Sequence, residues 1–243
     1  MINMSIRVAK PKRSRESGVI ARMKMLRLEV GNSMRDKVLV APPNKVPPRG
    51  TISHESLSII GIPRKFHDKS IKDFKTYNNE GLKELKSFVT KYLEDIVTRD
   101  RQAYQEGILF YGSNGVGKTM LSSLILRQAY KYRWTSQRTT FVKYVDSYTS
   151  SWSSNNETDE YWKTCKEAQY LVLEEVGKEI DSKITKPILE DLLRYREEKG
   201  LVTIICTNLT TKDLEDLYGA SIMSLIKGNM TPIKITGKDR RYD

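Results

Sequence analysis

Residues 112 to 119, GSNGVGKT, follow the spacing G-x-x-x-x-G-K-T, which suits a loop that wraps a phosphate in backbone N–H groups. Gly112, Gly115 and Gly117 let those groups turn inward where a Cβ would crowd the anion. Ser113, Asn114 and Val116 extend the same cradle, and a helix opening at Lys118-Thr119-Met120 points its positive end at it. Lys118 is expected to reach the β- and γ-phosphates of a nucleoside triphosphate, and the Thr119 hydroxyl to ligate Mg²⁺. The bland alternative is a glycine turn beside a chance lysine. It does not explain the apolar run Ile108 to Tyr111 before the loop or the helical periodicity after it.

A second apolar run, Tyr170 to Leu173, ends in Glu174 and Glu175. In a triphosphate site the first acid belongs to the Mg²⁺ shell, and the second orients or deprotonates an attacking water. Two acids after a strand are common by chance, so their weight comes from the glycine loop upstream. A third run, Leu201 to Cys206, ends in Thr207-Asn208. Asn208 either positions a water against the γ-phosphate, or caps a helix beginning near Thr210, or both.

These residues need elements to hold them. Met120, Leu121, Leu124, Ile125 and Ala129 keep a helical step to about Trp134, and Thr139 to Val145 is β-branched and aromatic, predicting a strand. Ser147 to Asn156 predicts a loop or weak helix. Ser182 or Thr185 caps a helix carrying Ile188, Leu189, Leu192 and Leu193 and ending at Gly200. Upstream, Asn79 caps a helix with the stripe Leu82, Leu85, Val89, Tyr92, Leu93 and Ile96, ending near Arg101. Alternating apolar strands and helices predict an α/β fold, a parallel sheet covered on both faces. Such sheets bind ligands at the carboxyl ends of their strands, where Gly112, Glu174 and Asn208 all fall.

The net charge of +12 is uneven: residues 1–40 hold ten Lys or Arg against three acids, leaving +5 for the rest. Residues 1–40 read as a basic, largely helical arm, with Val19, Ile20, Met23, Leu26 and Val30 as its stripe. Residues 41–55 read as a linker holding four of the eight prolines, and 56–243 as the catalytic domain. The arm suits an acidic or polyanionic partner, or serves solubility alone. Cys165 and Cys206 lie outside any C-x-x-C spacing, and His54 and His67 are too few for a metal cluster. No apolar run is long enough for a membrane span, and the N-terminus lacks a signal-type core, so a cytoplasmic protein is expected.

GIPRKF, GSNGVGKT, YLVLEEVG and TIICTNL together resemble the DnaC/IstB-type AAA+ ATPases, over about Gly61 to Arg241. The resemblance implies an AAA+ P-loop fold of five parallel strands, the Asn208 strand lying between the strands of Lys118 and Glu174. It also implies that Ile62 and Pro63 lie against the adenine of ATP, and that Asn208 is a sensor of the γ-phosphate. Arg240, with Arg241 beside it, matches the C-terminal sensor arginine. Two departures stand out. Glu174 replaces the usual Asp, and the helix Ala220 to Ile226 has Ser221 and Leu225 where the family has arginines, the second being the arginine finger. Slow hydrolysis is therefore expected, or substitution by Arg194, Arg196 or Lys227.

In this family single-stranded DNA is gripped after the second strand, here Lys143 to Trp152. There Tyr144, Tyr148 and Trp152 either stack on bases or pack in the core. The resemblance implies an ATP-dependent helicase loader for DNA replication in a bacterial or phage-infected cell. Its partners would be a DnaB-like hexameric helicase and single-stranded DNA, with ATP controlling self-association into an oligomer. The alternatives are an IstB-like transposition regulator, and a nucleotide-gated DNA-binding scaffold with little hydrolysis.

Overall fold

The computed structural model describes residues 48–98, 105–152, 161–178 and 182–240. The stripe of the basic arm, residues 41–47 of the proline-rich linker and Arg241 lie outside these residues.

Five strands form one sheet: β1 (Gly107–Tyr111), β2 (Ser136–Thr140), β3 (Tyr170–Glu174), β4 (Val202–Thr207) and β5 (Met230–Lys234). Their order is β2-β3-β4-β1-β5 and every pairing is parallel. The Asn208 strand thus lies between those of Lys118 and Glu174, as the resemblance implied. β3 and β4 are buried at every position, which a strand with both faces covered requires and a continuous apolar run supplies.

The helices are α1 (His54–Ile59), α2 (Glu80–Thr98), α3 (Lys118–Lys131), α4 (Phe141–Ser150), α5 (Tyr161–Glu167), α6 (Ser182–Glu198), α7 (Thr211–Tyr218) and α8 (Ala220–Asn229). Leu109, Leu171, Leu173 and Ile205 pack with Phe141, Tyr144, Cys165, Leu189, Leu214 and Met223 in the core beneath α4 to α8. The alternate strand residues Ile108, Phe110, Val172 and Ile204 are fully buried as well, and α3 packs on β2, β3 and β4. Asn79 caps α2 as expected, its Oδ1 accepting from the Leu82 N–H at 3.1 Å.

One element differs from expectation. The strand read over Thr139 to Val145 stops at Thr140, and Phe141 to Ser150 is helical. Thr140 Oγ1 accepts from the Lys143 N–H at 3.2 Å, an N-cap that starts α4. Phe141, Tyr144 and Ser147 then recur at three-residue steps and are buried together. A β-branched, aromatic composition fits either period, and the cap decides it.

Candidate active site

The loop from β1 to α3 turns through left-handed backbone at Gly115 (φ +74°) and Gly117 (φ +109°). A Cβ on Gly115 would lie 1.8 Å from Asp239 Oδ1, and one on Gly117 2.9 Å from the Phe74 ring. The glycines are therefore needed by the chain's own packing as well as by a phosphate. Residues 235–240 run along the loop: the Ile235 N–H donates to Tyr111 O at 2.8 Å, and the Arg240 N–H to Gly115 O at 3.0 Å. Val116 is fully buried, so its contribution to the cradle is its backbone.

Lys118 Nζ donates to Gly112 O (2.6 Å), Ser113 O (2.7 Å) and Asn208 Oδ1 (2.8 Å). Asn208 Nδ2 in turn donates to Asn114 Oδ1 at 3.0 Å. The ends of β1 and β4 are thereby joined through one ammonium. Asn208 does not cap the next helix, because Thr210 does so, its Oγ1 accepting from the Asp213 N–H. The Asn208 side chain is left entirely to the loop.

Glu174 is buried, and its two oxygens face different partners. Thr119 Oγ1 donates to Oε2 at 3.1 Å, and Ser122 Oγ to Oε1 at 3.0 Å. Arg138 Nε lies 3.4 Å from Oε1. Glu175 follows in left-handed backbone (φ +62°), a conformation that costs a side-chain-bearing residue about 1–2 kcal/mol and turns it out of the strand line. Its carboxylate is half exposed and pairs with Lys178 Nζ at 2.8 Å.

These groups share one cleft of about 840 Å³, whose walls include Pro63, Tyr77, Gly115, Lys118, Glu174 and Asn208. Glu175, Thr119, Met120 and Arg240 also line it. The Arg240 guanidinium sits 4.1 Å over the Phe74 ring and 5.3 Å from that of Tyr77. Ile62 is buried behind Pro63, and its carbonyl meets His67 Nε2 at 2.8 Å. No cluster of three or more His, Cys, Asp or Glu able to hold a metal occurs among the described residues. The donors present, one hydroxyl and one carboxylate, fit Mg²⁺, which takes most of its ligands from water and substrate phosphates.

Sequence reading missed Ser122 and Arg138. Ser122 lies three residues after Thr119 on one helix, a spacing that places both on one face. Arg138 carries no sequence signal at all.

The substitute-finger candidates separate. Arg196 is 1% exposed, and donates to Thr203 Oγ1 (2.8 Å) and to the carbonyls of Lys166 (2.9 Å), Ala168 (2.8 Å), Val202 (2.6 Å) and Cys165 (3.3 Å). It is a core residue and cannot reach a neighbouring molecule. Arg194 is exposed, bonded to Glu190 Oε1 and to Ser221 Oγ at 3.1 Å. It therefore stands beside Ser221, the first of the two positions that lack an arginine, and not at Leu225, the finger position itself. Lys227 pairs with Glu215 at 3.1 Å.

The segment expected to grip DNA also separates. Tyr144 is fully buried and its hydroxyl has no hydrogen-bond partner among the described residues; burial, with a smaller contribution from Asp191, pushes its pKa up. Tyr144 is thus core and unable to stack on a base. Tyr148 lies between Trp152 and Trp162 at 5.8 and 5.0 Å, and Trp152 is 65% exposed. Lys143 is exposed, its Nζ 4.3 Å over the Tyr161 ring.

Five parallel strands in this order, with the lysine loop after β1 and the paired acids at the end of β3, define the AAA+ P-loop fold of nucleotide-hydrolysing proteins. Solved structures share it. DnaI superposes with a TM-score of 0.60 at 23% identity, over 74% of this chain and 95% of that one. The DnaC helicase loader superposes at 0.61 and 20% identity, over 72% and 100%. The replication initiator DnaA, bound to AMPPCP and single-stranded DNA, superposes at 0.59 and 17% identity, over 75% of this chain and 53% of that one. No family model and no curated protein matches the chain. No helix among the described residues is long and apolar enough to cross a membrane.

Proposed function

We propose that this chain is a replicative helicase loader of the DnaC/IstB type. In this reading it hydrolyses ATP, self-associates under ATP control, and holds single-stranded DNA and a DnaB-like hexameric helicase. The observation that carries the ATPase reading is the meeting of Lys118, Glu174, Glu175 and Asn208 in one cleft at the ends of β1, β3 and β4. The choice of loader rests on a fold shared with DnaI and DnaC along nearly their whole solved length.

The chemistry follows from the residues. On ATP binding, Lys118 exchanges a loop carbonyl for phosphate oxygens, and the inward N–H groups of 113–119 take the rest of the charge. Pro63 and the buried Ile62 behind it form the base side of the cleft. Thr119 and Glu174 would hold Mg²⁺, which supplies charge neutralisation to the phosphates when bound. Asn208, fixed by Lys118 and Asn114, steadies a water in line with the γ-phosphate, and Glu175 draws its proton. Water's oxygen bonds to the γ-phosphorus as the bond to the β–γ bridging oxygen breaks, leaving ADP and phosphate. Arg240 steadies the far wall of the cleft from its seat on Phe74.

Arg194 is the candidate to reach the ATP of a neighbouring copy. Arg194→Ala should lower turnover by about 10³-fold while leaving nucleotide affinity unchanged; unaltered turnover would remove it from this role. Trp152→Ala should weaken single-stranded DNA binding about 5- to 150-fold, the stacking worth of one base, as read by fluorescence anisotropy. Equal affinity would remove Trp152 from the DNA contact.

Mixing the full chain with a hexameric replicative helicase, ATP and single-stranded DNA tests the loader reading. A joint complex by gel filtration is expected. Association with a transposase and duplex DNA instead would favour the IstB-like regulator. The scaffold reading is favoured by Ser221 and Leu225 in α8 together with the burial of Arg196, and would show as ATP-dependent assembly without turnover.

A further inference from the structure

β2 is an edge strand, and its free edge is taken up at Arg138. The Arg138 N–H donates to Ile60 O at 2.9 Å, and its Nη1 donates to Gly61 O at 3.0 Å. Gly61 has φ +87°, and a Cβ there would lie 2.4 Å from Arg138 O. The turn leading to Ile62 and Pro63 is therefore pressed directly onto this one residue. The other end of the same guanidinium faces Glu174, with Nε 3.4 Å from Oε1. Arg138 pairs with Val172 in the sheet, so Glu174 lies two residues further along the neighbouring strand and on the same face. Ser122 and Arg138 together occupy Oε1, leaving Oε2 to Thr119. The Ser122 hydrogen bond on Oε1 and the Thr119 hydrogen bond on Oε2 set the plane of the carboxylate, and the Arg138 charge, which faces Oε1 without a hydrogen bond from Nε among the described residues, biases its tilt.

The geometry points to Arg138 as a positioning residue that couples the base-side turn at Gly61 to the magnesium carboxylate Glu174. A guanidinium is planar and rigid, so a shift of Gly61 O when a base seats against Pro63 is transmitted to Nε and to the tilt of Glu174. Coupling of this kind is reciprocal: Mg²⁺ that orders Glu174 must sharpen the choice of base by the same factor. The inference rests on the nucleotide reading above and deepens it. Arg127, which also fastens this turn through His67 O and Lys69 O, is not among the contacts of Glu174, so its bonds do not supply the link.

The test is competition of ATP and GTP against a fluorescent ATP analogue, in EDTA and in Mg²⁺. In the wild type, Mg²⁺ should raise the preference for ATP over GTP by about fivefold or more. That rise should vanish in Arg138→Gln, and also in Arg138→Lys, which keeps the charge but lacks the planar fork. Gly61→Ala forces the turn away from Arg138 while leaving every side chain of the link chemically unchanged. It should lose the rise too, and it carries the test if the Arg138 variants fail to melt cooperatively. A rise equal in wild type and folded variants, or a wild-type preference indifferent to Mg²⁺, overturns the role of Arg138 alone. A wild type that binds neither nucleotide overturns the nucleotide reading, and this inference with it.

Discussion

Lys118→Ala is expected to weaken ATP binding by about 10²-fold or more. Its ammonium bonds at once to the loop carbonyls of Gly112 and Ser113 and to Asn208. Each charge-assisted bond to a phosphate is worth about 1.5–3 kcal/mol, and two such bonds would be lost. Removing the side chain also frees Asn208 from the loop, so turnover should fall further than affinity. Equilibrium titration with ATP and Mg²⁺ reads the first effect and phosphate release the second. An affinity within about threefold of the wild type would mean that the phosphates do not lie where Lys118 points.

The second large effect concerns stability. Arg196→Ala should cost about 3–5 kcal/mol, the range for breaking a buried charged network from one side. Its guanidinium takes the carbonyls of Cys165, Lys166 and Ala168, at and just past the end of α5, and joins them to Val202 and Thr203 at the start of β4. Truncation strands those carbonyls without water and leaves a cavity against α6. Met in place of Ala fills the volume but satisfies none of the oxygens, so it should recover only part of the loss. The midpoint of denaturant unfolding at unchanged slope measures both. A shift below about 1 kcal/mol would show that water reaches the stranded groups.

What could be read from the sequence was local. The glycine loop, the acids after Leu173 and the apolar runs of β1, β3 and β4 each declare themselves within a dozen residues, and the sheet rule then brings Gly112, Glu174 and Asn208 to one edge. Contacts between distant segments gave no such signal. Arg138 meets Glu174 across 36 positions and Gly61 across 77, and nothing in its neighbourhood marks it. Arg196 misled because arginine is almost never fully buried, so its place in the core had to be seen. The turn from β2 into α4 was lost to a residue, Thr140, whose capping role competes with its strand propensity. Phe74 and residues 235–240, which close over Gly115 and Gly117, are far in sequence from the loop they constrain.

The central claim is that the cleft hydrolyses ATP with Glu175 as the base, and turnover with and without single-stranded DNA, for the wild type and Glu175→Gln, tests it most directly. The account predicts DNA-stimulated phosphate release by the wild type. It predicts a loss of about 10²–10⁴-fold in Glu175→Gln, with ATP affinity kept because Lys118, Thr119 and Glu174 remain. Turnover undiminished by Glu175→Gln, or a wild type that binds ATP and releases no phosphate with or without DNA, would contradict it.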